Sequence, residues 1–198
     1  MKKRVLVSFV VFALAVPTLV SQAGAGAPVK FRWHIANAFL QTATEIPQTG
    51  ARARADNGDL VTVTGRGRFN SSTGGAAGGG AFLHTTAAGA VVGFGTWTAT
   101  GVRDFELFGC GVGAGGAELP PNFCGGVLTL DVRLRGISLA AGAVTLDGVL
   151  VVTCLIGDSP EDIPAGAEEG ITLDVPGAVT FGDLVPEDGG LTLFVSRG

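Results

Sequence analysis

Two imidazoles, three thiols and one run of carboxylates are the groups in this 198-residue chain best suited to chemistry. Hydrolysis or group transfer needs a base, and His34 and His84 are the only histidines. Neither stands in a nucleophile or metal motif, and no GxSxG elbow is present to present a serine to either. Tyr is absent and the only Met is Met1, so a catalyst built here would pair a His with an Asp or Glu carboxylate. The sequence itself names no catalytic residue. His84 equally suits an interior or rim position beside Phe82, and His34 a place beside Trp33.

Asp158, Glu161, Asp162, Glu168 and Glu169 form an acidic loop. Ca²⁺ favours several carboxylate and carbonyl oxygens, so this loop is the candidate Ca²⁺ site, although its spacing matches no EF-hand. An exposed acidic turn is the alternative. No other cofactor or metal site is indicated: Cys110, Cys124 and Cys154 contain no CxxC pair, and the Gly-rich stretches lack the Lys of a phosphate loop. In an oxidising compartment, two of three thiols should pair. Cys110 and Cys124 enclose a Gly- and Pro-rich loop with little else to hold it, so that pair is expected to be bridged. Cys154 then remains a buried strand thiol, with nothing near it in sequence to lower its pKa.

The elements that must position these groups read as strands. With 33 Gly and short alternating apolar blocks, the chain excludes coiled coils and helical bundles. Strands are predicted over Lys30–Leu40, Thr49–Ala55, Leu60–Asn70, Ala81–Thr86, Val91–Val102, Val127–Arg135, Ala143–Leu146, Val149–Ile156, Ile171–Val175, Ala178–Phe181 and Leu191–Ser196, with no helix. Asn57-Gly58, Ala88-Gly89 and Asp147-Gly148 are the expected hairpin turns, and Ser71–Gly80 and Gly109–Pro121 the Gly-rich loops. With Ala88-Gly89 as the turn, Phe82, His84, Gly93, Gly95 and Trp97 share one face, so large rings lie over glycines. Val63, Gly65, Gly67 and Phe69 repeat the device, and a three-residue turn at Asp56–Gly58 sets Arg52 and Arg54 on the outer face with Arg66 and Arg68. Alternate glycines serve sharply curved sheet, which favours an all-β antiparallel barrel, with a two-sheet β-sandwich as the alternative. In a barrel with an open mouth, Trp33, Phe82, His84 and Trp97 would line a pocket for a small apolar or aromatic ligand; otherwise they fill its interior.

The first residues specify a destination. Lys2, Lys3 and Arg4 precede an uncharged apolar run from Val5 to Val20, and Ser21-Gln22-Ala23 supplies small residues for cleavage. Residues 1–23 are therefore expected to be a signal peptide and 24–198 a single all-β domain, secreted or periplasmic, with no membrane span after cleavage. The formal charge of the whole chain is −4, and losing those three cations makes the remainder more acidic. That balance argues against a nucleic-acid partner. The charges are also segregated: ten Asp or Glu and no Lys or Arg fall between Asp147 and Asp188, whereas most arginines precede them.

Taken together, NGDLVTVTGRGRF, GGGAFLHTTAAGAVVGFGTWTATG, LPPNFCGGVLTLDVRL and LVVTCLIGDSP with AGAEEGITLDV resemble a family of small secreted microbial proteins, over Ala51 to the chain's end. The resemblance implies secretion and brings no activity, substrate or catalytic residue. ATEIPQTGARA is similar to the opening of a CHRD domain over that stretch alone. The reading these residues support is a secreted, non-catalytic β-barrel module that binds a small apolar ligand or a surface partner. The alternative is a small extracellular barrel enzyme, an isomerase or hydrolase, using a His and a carboxylate.

Overall fold

A computed structural model describes residues 30–113, 116–157, 167–185 and 190–197. The expected signal peptide lies outside them. Ten strands account for most of the described residues: β1 (Lys30–Ile35), β2 (Ala51–Ala55), β3 (Leu60–Asn70), β4 (Ala76–Thr85), β5 (Val91–Cys110), β6 (Phe123–Ser138), β7 (Gly142–Cys154), β8 (Gly170–Val175), β9 (Val179–Val185) and β10 (Thr192–Arg197). All pairings between them are antiparallel, and they form one sheet that closes in a ring, a barrel-like all-β fold.

The ring is not uniform along its length. The first part of β3 pairs with β2 through Leu60–Val63, and the rest pairs with β1 through Gly65–Asn70. On the opposite wall, β6 pairs with β10 at Phe123 and Cys124 and with β7 from Gly126 onward. One end is therefore closed by eight strands, β2 to β9, and the other by six: β1, β3, β4, β5, β6 and β10. A ring of fewer strands has a narrower interior. The six-strand end is filled by rings: Phe31 stacks on Phe69 at 5.1 Å, and Phe105 lies 4.7 Å from Phe31, 4.8 Å from Phe69 and 5.3 Å from Phe194.

Strand glycines make room for this packing. Trp33, wholly buried, lies directly across the ladder from Gly67, and a Cβ at Gly67 would fall inside its indole. Trp97 lies across from Gly80, covers Gly65 with its ring edge, and donates from Nε1 to the Thr64 carbonyl at 3.1 Å. The expected pairing of rings with glycines is thus present, with the tryptophans buried in the packed interior.

Several local expectations change. The strand beginning at Lys30 ends at Ile35, and Ala38–Thr44 is a helix, α1. Ala36 takes φ 39°, and the Asn37 side chain caps the helix by accepting from the Phe39 and Leu40 amides at 3.0 and 3.3 Å. Asp147-Gly148 is no turn. It lies inside β7, which pairs with β6 without interruption, and Asp147 instead meets Arg133 opposite it at 2.8 Å. The hairpin turns at Leu139–Ala141, where Ser138 and Gly142 close the ladder. The stretch from Ala76 to Gly80, expected in a loop, is the start of β4, because its glycines pack against neighbouring backbone. At Ala87–Gly89 the turn has three residues, and a bulge after His84 restores the expected His84–Gly93 and Phe82–Gly95 pairs. The turn at Asp56–Gly58 and the outward row of Arg52, Arg54, Arg66 and Arg68 are as expected.

Cys110 and Cys124 are bridged across the β5–β6 ladder, and Cys154 is free and buried. The bridge fits an oxidising compartment. Among the described residues no helix is long and apolar enough to cross a membrane. Closing a loop of sequence separation 14 stabilises the fold by about 3 kcal/mol on chain entropy. Urea unfolding of a C110S/C124S variant should show a loss of that size, and a non-reduced digest should contain the Cys110–Cys124 peptide pair and no peptide linked through Cys154. Substituting Gly67→Ala overpacks against Trp33 and should destabilise by about 1–3 kcal/mol. Gly182→Ala, where a Cβ meets nothing within 4 Å, should not; equal stability of the two variants would refute the packing account.

Candidate functional site

At the eight-strand end the interior is wider than its side chains fill. A cavity of about 290 Å³ remains, walled by residues of β3 to β9 and of the turn before β9, with none from β1 or β10. Of the described side chains around it, only His84 and Ser138 are polar. The register explains the space. Across the sheet, Val61, His84, Gly93, Ser138 and Gly142 form one inward row, and Val63, Phe82, Gly95, Gly136 and Val144 form the next. Glycine at the centre of each row leaves a slot. Phe82 leans across the second slot, its Cζ 3.0 Å from where a Gly136 Cβ would stand. The first slot, over Gly93, stays open between His84 and Ser138.

His84 is held on two sides. Its ring meets Phe181 edge-on at 5.1 Å between centroids, and its Nε2 donates to Asp59 Oδ2 at 3.1 Å. A carboxylate only accepts, so this contact fixes the proton of the neutral ring on Nε2 and leaves Nδ1 as its acceptor. The hydrogen bond from His84 holds the Asp59 carboxyl below the usual carboxylate range. Asp59 also anchors its own turn, since its amide is bonded by the Asn57 side chain. Because Asp59 precedes β3, it draws the imidazole toward β3, away from Ser138. The hydroxyl of Ser138 accepts from the Ala141 amide at 3.3 Å. Gly93 separates Ser138 from His84 by two strand spacings, about 10 Å. The structure therefore contains a His–Asp pair but no Ser–His pair among the described residues.

The residues expected to form one pocket are divided by the fold. Phe82 and His84 stand in the cavity wall, whereas Trp33 and Trp97 are buried in the packed interior and do not line it. The neighbours that sequence spacing did not identify are Asp59, brought to His84 by the hairpin turn, and Phe181, brought by β9. The NGD turn was itself a signal, because a hairpin places the residue after its Gly beside whatever strand pairs next.

His34 sits elsewhere. It faces outward on β1 yet is only 7% exposed, because α1 covers it: Phe39 stacks on the ring at 4.2 Å and Asn37 Nδ2 donates to Nδ1 at 3.1 Å. Burial, with the Arg32 and Arg66 cations, holds its imidazole below the usual range. Of the proposed Ca²⁺ ligands, Asp158, Glu161 and Asp162 lie outside the described residues. Glu168 is exposed, and Glu169 is turned to the fold, accepting from the Thr192 amide at 2.9 Å. Burial raises the Glu169 carboxyl, and it pushes the Cys154 thiol well up. A thiol held protonated is a poor nucleophile. Among the described residues no three His, Cys, Asp or Glu converge on a point where a metal would bind.

Comparison with protein-family models, with curated proteins and with solved structures gave no match to this chain.

Because the Asp59 carboxyl is lower in the folded chain than in the unfolded one, its contribution to stability is present above the unfolded value and is lost as pH falls through the folded one. Unfolding measured from about pH 6 to about pH 2 should show the Asp59→Asn variant less stable than wild type at the upper end, with the two curves converging on acidification. Curves that stay parallel would show that the His84 contact does not contribute.

Proposed function

We propose that the protein is a secreted, non-catalytic binding module that holds a small apolar ligand in the eight-strand end of its ring. The observation that carries this reading is the cavity itself: about 290 Å³, at the small end of ligand-site volumes, apolar apart from His84 and Ser138. Those two groups face one slot from either side of Gly93. A ligand with an apolar body and one hydroxyl or carbonyl would satisfy one of them while its body replaces water against Val, Leu and Phe side chains. The basic head and apolar run of the first residues, with the Cys110–Cys124 bridge, support export.

The His84–Asp59 contact favours a second reading, an extracellular isomerase or hydrolase in which Asp59 orients His84 as a base. It is the weaker one, since the only hydroxyl among the described wall residues, Ser138, lies across Gly93 from a ring drawn the other way.

Thermal unfolding with neutral apolar probes, indole and Nile red among them, separates the two. A bound probe at about a hundred times its Kd adds about 2.7 kcal/mol, visible as a raised melting temperature. Ala178, exposed at the cavity rim, can carry a bulky plug. The Ala178→Trp variant should fold normally and lose the stabilisation. Stabilisation that survives in Ala178→Trp, or none with any probe, would remove the cavity reading. Turnover of a small ester that Ala178→Trp and His84→Gln both abolish would establish the catalytic one.

A further inference from the structure

The outer face of the six-strand end carries a second concavity of opposite character. Alternation along β1 turns Phe31, Trp33 and Ile35 inward, and Lys30 and Arg32 outward beside the covered His34. β3 likewise exposes Arg66 and Arg68. Register then sets Arg32 directly opposite Arg68, His34 opposite Arg66, and Lys30 opposite Arg197 of β10. On the far side of β3, β4 offers Ala77, Gly78 and Gly79, which add almost no side chain. The result is a groove of about 490 Å³, floored by Gly67, Ala77 and Gly78 and flanked by Arg32, Arg66, Arg68 and Arg197.

None of these four guanidiniums meets a carboxylate among the described residues, whereas Arg103 and Arg133 are paired with Asp131 and Asp147 at 2.7 and 2.8 Å. Like charges directly opposite on a sheet are destabilising, so the Arg32–Arg68 pair works against the fold that carries it. The whole chain has a formal charge of −4, and the concentration of cations here is therefore local. His34 sits among them with Nδ1 engaged by Asn37, which places the proton of its neutral ring on Nε2 as a further donor.

We propose that this groove binds a small ligand carrying a phosphate or sulfate group, held by Arg32, Arg66, Arg68 and Arg197. Guanidinium forks match the oxygens of a tetrahedral oxyanion two at a time, and four of them neutralise a dianion with donors to spare. On the outward face β4 sets only Ala77 and Gly79 beside Arg68 and Arg66, so little side chain stands where the anion settles. A nucleic acid fits less well. Among the described residues Phe39 is the one phenylalanine at the groove and one of its faces is taken by His34, so the groove lacks the succession of rings on which a strand of bases would stack. The site is separate from the apolar cavity, whose wall includes no residue of β1 or β10.

Titration calorimetry on the full chain at low salt tests this, with inorganic pyrophosphate, phosphate and sulfate as the probes. Pyrophosphate should bind, its affinity falling at least about tenfold between 50 and 200 mM NaCl, as expected where several cations meet an anion. The R66Q/R68Q variant should weaken binding by about a hundredfold or more, since it removes two charge-assisted contacts. Its melting temperature without ligand should be no lower than wild type, because the substitution relieves repulsion. R103Q, which removes a paired arginine on β5, should leave the affinity unchanged. A preference for phosphate over sulfate, or the reverse, would identify which group the natural ligand carries. No binding of any probe at millimolar concentration, or an equal loss in R103Q, would overturn the proposal. So would an R66Q/R68Q-sensitive affinity for a single-stranded oligonucleotide above that for pyrophosphate.

Discussion

The change of partner along two strands governs this molecule. β3 leaves β2 for β1 after Val63, and β6 leaves β10 for β7 after Cys124, so the same sheet closes with different strand numbers at its two ends. Width follows strand number. At the narrow end four phenylalanines meet ring against ring and Trp33 must rest on bare backbone; at the wide end the same inward rows no longer reach across, and a cavity persists. Neither a tight core nor an open mouth had to be specified separately. Both are consequences of where β1 and β10 replace β2, β9, β8 and β7 in the wall.

Much of this was legible in the residues. Alternation identified most strands, and the Phe82–Gly95 and His84–Gly93 pairs follow from placing one turn in a short window. The bridge between Cys110 and Cys124 follows from loop composition and an odd number of thiols. What could not be read was long-range. Nothing in VTGRGRF says that its first half faces β2 and its second half β1, so the tryptophans and Phe82 read as one aromatic face although they belong to different ends. Local signals also misled where tertiary pairing outweighed them. Asp147-Gly148 has the chemistry of a tight turn, yet the ladder with β6 and the Arg133 ion pair hold it extended. The helix at Ala38 lay within an apolar run that suits a strand as well, and only the Asn37 cap decides it.

The two faces of the sheet carry different chemistry because period-2 alternation keeps them apart. Inward positions are nearly all apolar, and His84 is tolerated there because Asp59 accepts a hydrogen bond from it at the rim. Outward positions gather the arginines on β1, β3 and β10, while the acidic residues fall later in the chain. His34 is the exception that links the two: an outward residue made an inward one by seven residues of helix laid over it. Its neutrality is a product of that cover and of the neighbouring cations.

The position of β10 in the wall also makes the closure of the narrow end a long-range one. It is the last described strand in chain order, and it enters between β1, the first, and β6. Its edges are therefore made from segments far apart along the chain, and the narrow end stays open until it arrives. The hairpins from β3 to β7 join neighbours in sequence and close shorter loops, at a smaller entropic cost. Without β10, one edge of β6 is bare at Phe123 and Cys124, and Phe105 and Phe69 lose the cover of Phe194. Joining Cys110 to Cys124 ties the β5 and β6 ends at that gap. The bridge thus fixes the edge against which the last described strand is seated.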